Sequence, residues 1–296
     1  MRARLSLLAL LLLASAPAVA EPSAAPNAAP GAALGIDRHA AAIVSVEMVL
    51  HIKRSSRDGQ TREREQRMTT TGLVVDASGL VMLGGAGQLA NRSGGSGGRG
   101  SEVTPGEIKV RFPGEEKEYR AGLAATDAEL GLAFVQIEDL GDRKPVVLDF
   151  AAAIEPQIGQ LVTLLGRRSR GYDDAPFISQ QRVNGEIAKP RRAWTTDGFG
   201  KLPGQPVFTT EGTPVGVIAR IAPVRDAVEV GGRWGGRGGF GLGGGGAGGG
   251  GSFILPAAIV SQRIVAALAE VKRLAAERAA ESSQEKKAPE TPEKGN

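Results

Sequence analysis

Cysteine is absent from the 296 residues. That excludes a disulfide framework, a thiolate zinc site, a thiol nucleophile and a lipid-modified N-terminal cysteine. Histidine is nearly absent as well, with His39 and His51 the only two. Aromatic residues make up 4% of the chain, so the core must be built mainly from aliphatic side chains. Long apolar runs are missing too: Leu5 to Leu13 falls well short of the roughly 20 residues a bilayer requires, and no transmembrane span is expected. Net charge is small, at a formal +4, and falls to +2 without Arg2 and Arg4. Neither value selects a particular partner.

Glycine and proline are abundant instead, at 43 and 17 residues, and point to turns, loops and β structure. With 41% hydrophobic residues the chain can bury a core, and its length allows one or two domains of about 150 residues.

The N-terminus carries Arg2 and Arg4, the apolar run, then Ala18-Val19-Ala20, the small-x-small pattern of a cleavage site. Residues 1–20 therefore read as a signal peptide, and an exported protein, periplasmic or secreted, is expected. Residues 21–36, rich in Ala and Pro, read as a flexible leader. At the other end, apolar residues give way to Ser, Gln, Lys, Glu and Pro beyond Ala280, so 280–296 reads as a solvated charged tail.

Between these ends the pattern is β. Ile43 to Lys53 alternates, with Val44, Val46, Met48, Leu50 and Ile52 on one face and Ser45, Glu47, His51 and Lys53 on the other. Asp58-Gly59 supplies a turn into Gln66 to Val75, predicting an antiparallel hairpin. Further strands are predicted at Leu80 to Leu83, Glu107 to Phe112, Lys117 to Ala124, Leu132 to Ile137 and Val146 to Phe150. The pattern restarts at Gln160 to Leu165, Phe177 to Ala188, Val207 to Thr209, Val215 to Ile221 and Ser252 to Leu255. Two β-rich halves, 37–150 and 151–256, suggest two barrels or one large sandwich. Pro256 then opens a helix over 257–279, in which Val260, Ile264, Leu268 and Val271 recur at helical spacing and should dock on the second half. Ser93 to Gly100 and Gly231 to Gly251, the latter with 15 glycines in 21 residues, read as flexible surface loops.

Several segments, in order, carry a family resemblance. Thr71-Gly72-Leu73-Val74-Val75-Asp76-Ala77-Ser78-Gly79-Leu80-Val81 comes first, followed by Thr126-Asp127-Ala128-Glu129-Leu130-Gly131-Leu132-Ala133. Ile158-Gly159-Gln160-Leu161-Val162, Gly185-Glu186-Ile187, Thr196-Asp197, Pro206-Val207-Phe208, Gly212 to Val217 and Phe253-Ile254-Leu255-Pro256 complete the series. This order, collinear from about Ile43 to Leu274, resembles the exported trypsin-like serine proteases of the high-temperature-requirement (HtrA) family. The resemblance implies an all-β fold, a trypsin-like double β-barrel with a C-terminal helix, here without room for a PDZ domain.

A trypsin-like site needs a serine, a histidine to take its proton and an aspartate to orient the imidazole. The resemblance places the histidine position at Ala86, or Gly87 with one residue of slippage, and Gly79 to Arg92 contains no histidine. It places the aspartate position on Gly131, because Asp127 and Glu129 match the family's non-catalytic pair. It places the serine position near Pro203, within Gly198 to Val207, which holds neither Ser, Thr nor Cys. Proline also lacks the backbone N–H that one oxyanion-hole donor requires. His51 lies on the polar face of the first strand and His39 precedes it, so neither replaces the base.

Other signals have plainer readings. Gly94-Gly95-Ser96-Gly97-Gly98 lies in the first half and reads as a loop. Arg233 to Phe240 has the look of an RGG tract but reads as a solvated loop, so no nucleic-acid partner is expected. Asp173-Asp174 reads as a turn, since a hard cation needs more oxygen ligands. Arg167, Arg168 and Arg170 with Arg191 and Arg192 could form a basic patch that attracts acidic peptides or an anionic surface, but the favoured reading is charges solvating strand ends.

The expectation is a non-enzyme: a catalytically inactive trypsin-like protein that binds a polypeptide or envelope protein as adaptor, decoy or scaffold, with no cofactor and no metal. Two alternatives stand beside it. One is an active serine-type endopeptidase with a non-standard or partner-supplied site, the other a structural protein of the envelope. Oligomeric state and the peptide-binding residues are left open.

Overall fold

A computed structural model describes residues 36–55, 60–85, 89, 101–197, 201–221 and 251–285. The expected signal peptide, the leader up to residue 35, the Asp58-Gly59 turn, Ala86 and Gly87, the glycine-rich segments 93–100 and 231–250, and the tail beyond 285 lie outside these residues; Ile36, expected in the leader, and 280–285, expected in the tail, are helical.

Twelve strands form two closed, antiparallel, six-stranded barrels. In barrel 1 they are β1 (Ile43–Ser55), β2 (Thr61–Val74), β3 (Leu80–Gly84), β4 (Ser101–Arg111), β5 (Glu118–Asp127) and β6 (Leu132–Ile137), paired in the order β1-β2-β3-β6-β5-β4. Barrel 2 holds β7 (Leu161–Arg167), β8 (Pro176–Ile187), β9 (Ala193–Thr196), β10 (Pro206–Thr209), β11 (Pro214–Ile221) and β12 (Gly251–Pro256), in the order β10-β11-β12-β9-β8-β7. A short helix, α1 (Ile36–Ala40), precedes barrel 1, and a long one, α2 (Ala257–Glu285), follows barrel 2. The two β-rich halves are thus two barrels and not one sandwich.

The predicted alternation of β1 holds: Val44, Val46, Met48 and Leu50 are buried inside barrel 1, while His51 and Lys53 are exposed. β2 begins at Thr61, earlier than hydropathy predicts, because its polar segment up to Arg67 is held by the ladder to β1 and not by burial. Exposed pairs His51–Glu65 (3.5 Å) and Lys53–Glu63 (3.4 Å) lie across that ladder. β4 likewise starts at Ser101, before the predicted Glu107. Pro105 is accommodated beside a register shift at Met48/Leu50, where a missing N–H breaks no regular ladder.

Two predictions need correction. Val146 to Phe150 is not a strand; it is the extended connection between the barrels, anchored by the Leu148 N–H to Val74 O bond (3.0 Å) and by the buried Leu148 and Phe150 side chains. Helix α2 docks on both barrels, not on the second alone. Its Ala257, Val260, Ile264 and Ala267 share one buried cluster with Leu73, Ala124 and Phe134 of barrel 1 and with Leu165, Phe208 and Leu255 of barrel 2. Each barrel also has its own interior cluster, with Trp194 at the centre of the second. The short strand β9 escapes sequence analysis because four residues are too few to display a period.

Candidate functional site

The end of β3 and the loop before β10 meet at the junction of the barrels. β3 leads through Gly84 to Gly85, which adopts a left-handed φ of 70°. Against it lies the Leu202–Gln205 turn. A Cβ on Gly84 would overlap the backbone of Pro203 and Gly204, and one on Gly85 would stand 3.3 Å from the Pro203 Cβ. Pro203, the position the resemblance assigns to the nucleophile, thus packs directly on the strand end that leads to Ala86.

The backbone donors of this turn are spent locally. Leu202 N–H donates to Gln205 Oε1 at 2.9 Å, and Gln205 N–H donates to Leu202 O at 3.1 Å. Pro203 has no N–H to give. Gly204, held at φ 86°, donates to Ile218 O of β11 at 2.7 Å, and Ile218 N–H returns a bond to Gln205 O at 2.8 Å. An oxyanion hole requires convergent, unengaged donors. Here the donors close the turn and extend the β10–β11 ladder.

Gly131 ends the β5–β6 turn at φ 64°, and a Cβ there would come 4.0 Å from the carbonyl oxygen of Arg220. The neighbouring carboxylates are committed elsewhere. Asp127 Oδ1 accepts from Leu130 N–H at 2.9 Å and its Oδ2 pairs with Arg263 of α2 at 3.0 Å. Glu129 pairs with Arg191 at 2.8 Å, joining barrel 1 to barrel 2. Of the two histidines, His51 pairs with Glu65 at the exposed end of the β1–β2 ribbon. His39 stacks on Phe208 with ring centroids 4.8 Å apart. Burial, with a smaller contribution from Arg38, holds the His39 pKa below its ordinary value.

Sequence reading missed Lys201 beside this turn. Its Nζ donates to Thr196 O at 2.8 Å, and burial lowers its pKa while Asp197 pulls the other way. Asp197 is engaged with Arg182 N–H at 2.6 Å, beyond the Val183–Thr196 end of the β8–β9 ladder. No motif flags Lys201, because its partner is a backbone carbonyl and its burial is tertiary, and neither shows in a residue pattern.

A cleft of about 570 Å³ opens beside the junction, between β2 and β4 of barrel 1 and the β7–β8 loop of barrel 2. Pro203, Gly84 and Gly85 form one end of its wall. Six cationic side chains line it, Lys109, Arg111, Arg167, Arg168, Arg170 and Arg220, against the carboxylates of Glu47, Glu118 and Asp174. Arg111 and Asp174 form its deepest pair at 2.8 Å, with side chains only 12% and 10% exposed. The bond from Asp174 raises the Arg111 pKa against the opposing effect of burial. Asp173-Asp174 is a turn, as predicted, with both residues left-handed at φ 57° and 49°.

The basic residues do more than solvate strand ends, which corrects the sequence reading. Arg167 is half-buried and spans the barrels' approach to α1, donating from Nη2 to Ala40 O at 2.6 Å and from Nη1 to Asp174 O. Desolvation lowers its pKa, opposed by Asp174. Arg191 ties to Glu129 as described, and Arg192 pairs with Glu155 and Glu186, so neither joins the cleft. Arg220, exposed at the end of β11, was not singled out by the sequence at all.

The fold and the junction define a class: a double antiparallel β-barrel with a C-terminal helix packed across both barrels, compatible with the trypsin-like architecture. Compared with protein-family models and with curated proteins, the chain matches none. No helix among the described residues is long and apolar enough to cross a membrane.

Proposed function

We propose that the protein is an exported, catalytically inactive relative of the trypsin-like HtrA proteases that binds polypeptide without cleaving it, as adaptor, decoy or scaffold. The observation that carries this reading is the Leu202–Gln205 turn: its N–H groups are engaged internally, Pro203 contributes none, and Gly84 seals it from the other barrel. Nucleophilic acyl transfer needs an activated oxygen or sulfur and a donor pair for the developing oxyanion. The residues at Ala86, Gly131 and Pro203 offer neither. Binding needs only a cleft and available backbone or charged groups, and a 570 Å³ cleft with an excess of cations lies beside the turn.

Purified mature protein should give no adduct with a fluorophosphonate probe by intact mass and no hydrolysis of fluorescent casein, while retaining unfolded casein in a pull-down. An adduct or turnover that survives repurification would overturn the inactive reading. Failure to retain any unfolded polypeptide would overturn the binding reading.

A further inference from the structure

Two features of the cleft lie apart from the Leu202–Gln205 turn: its uncompensated arginines and the edge of β2 that no described strand covers. Lys109 pairs with Glu118 at 3.1 Å and Arg111 with Asp174 at 2.8 Å. Arg168 has no carboxylate partner among the described residues; its guanidinium lies 4.3 Å from the Phe177 ring centre. Arg220 has no acidic partner among the described residues, and it is exposed in the cleft wall. Two exposed cations with no acidic partner among the described residues are therefore available to an incoming anion.

The floor beside them is a strand edge. β3 pairs with β2 only at Gly72, Leu73 and Val74, so from Thr71 back to Thr61 no described strand covers that side of β2. Val74 N–H bonds Ala42 O on the β1 side and Val75 N–H bonds Leu80 O on the β3 side. Strand alternation then directs the Thr69 N–H and C=O to the open side. Thr69 and Thr71 also line the cleft.

We propose that the cleft takes an extended polypeptide rich in Asp or Glu, laid against the open edge of β2 at Thr69 with its carboxylates on Arg168 and Arg220. This rests on the polypeptide-binding reading and adds the charge of the ligand. An open edge pairs with main chain irrespective of sequence, while the arginines select acidic side chains. A compact anion would use the arginines and leave the edge idle. A second copy of β2 is a poor occupant: two-fold antiparallel pairing sets residues of one face opposite each other, and Arg62 and Arg64 share one face while Glu63 and Glu65 share the other. Like charges would meet on both faces.

The test is fluorescence anisotropy with short extended peptides alternating Thr with Glu, Gln or Lys, added to the whole mature chain. The Glu peptide should bind at least about tenfold more tightly than the Gln peptide, with the Lys peptide weakest and the preference fading at high salt. Arg168→Glu and Arg220→Glu should each abolish that preference. Thr69→Pro should weaken both the Glu and the Gln peptide, since it removes an edge donor without touching the β1 ladder. Equal binding of all three peptides, unaffected by the arginine variants, would overturn the acidic preference and leave polypeptide binding standing. Binding of none would overturn both. Inorganic polyphosphate that binds as tightly as the Glu peptide, with both insensitive to Thr69→Pro, would replace the proposal with a general polyanion site. Melting curves of each variant separate lost binding from lost folding, and if Thr69→Pro does not fold, the two arginine variants, both at exposed positions, still decide the acidic preference.

Discussion

Gly84 and Gly204 meet backbone to backbone across the junction of the two barrels: a Cβ on Gly204 would stand 2.8 Å from the Gly84 nitrogen. The barrels approach this closely because neither residue has a side chain. Gly84→Ala and Gly204→Ala should each destabilise the protein by about 1–3 kcal/mol, from forced backbone displacement at the first and from overlap plus a left-handed φ of 86° at the second. Urea midpoints of the two variants, read by tryptophan fluorescence, check this.

The same contact bears on restoring activity. Ala86→His, Gly131→Asp and Pro203→Ser together return the three side-chain types of a triad, yet the Gly204 N–H is still committed to Ile218 O. The triple variant should hydrolyse casein no faster than the parent chain. Turnover above the parent would mean that the Leu202–Gln205 turn reorganises when Pro203 is replaced.

The two β-rich halves were legible because β1 alternates and because the glycines and turn residues recur at strand ends, while their closure as two barrels was implied by the family resemblance alone. Patterning could not reveal β2 before Gln66 or β4 before Glu107, since those polar residues are held by their neighbours' ladders. Nor could it tell Val146 to Phe150, whose alternating Leu148 and Phe150 are buried at the barrel junction, from a strand. At the site, Gly131 and Pro203 were singled out only by the family resemblance. The roles of Arg220 and the Arg111–Asp174 pair could not be read from the sequence, because they depend on residues brought together from different strands and barrels, and that of Lys201 could not, because burial and a backbone carbonyl leave no mark there.

The Arg111–Asp174 pair joins β4 to the β7–β8 loop with both side chains largely buried. Removing one partner strands a charge out of water, so Arg111→Met or Asp174→Asn alone should cost about 3–5 kcal/mol. The double variant should cost clearly less than the sum of the two, because no charge is then left unpaired. Additive losses in a double-mutant cycle would show that the two residues act independently.

His39 provides a pH dependence with a definite sign. Its pKa is depressed in the folded protein, so the unfolded chain binds the proton more readily. The contribution of the neutral ring is fully present above the ordinary value of 6.5 and is lost as pH falls through and below it. The melting temperature should therefore drop more between neutral and mildly acidic pH in the parent than in His39→Leu. Identical pH profiles would remove His39 as the cause.

Helix α2 closes the core that both barrels share. Val260 is fully buried in the cluster containing Leu73 and Leu255, while Val265, on the opposite face of the helix, is 66% exposed. Val260→Asp places a carboxylate where no described partner waits and should cost at least about 3 kcal/mol. Val265→Asp should change stability by less than about 0.5 kcal/mol. Because barrel 1, barrel 2 and α2 contribute to one cluster, Val260→Asp should lower a single cooperative transition and not uncouple two. Calorimetry distinguishes these outcomes: a separate melt of either barrel in the variant would show that each is stable without the shared core.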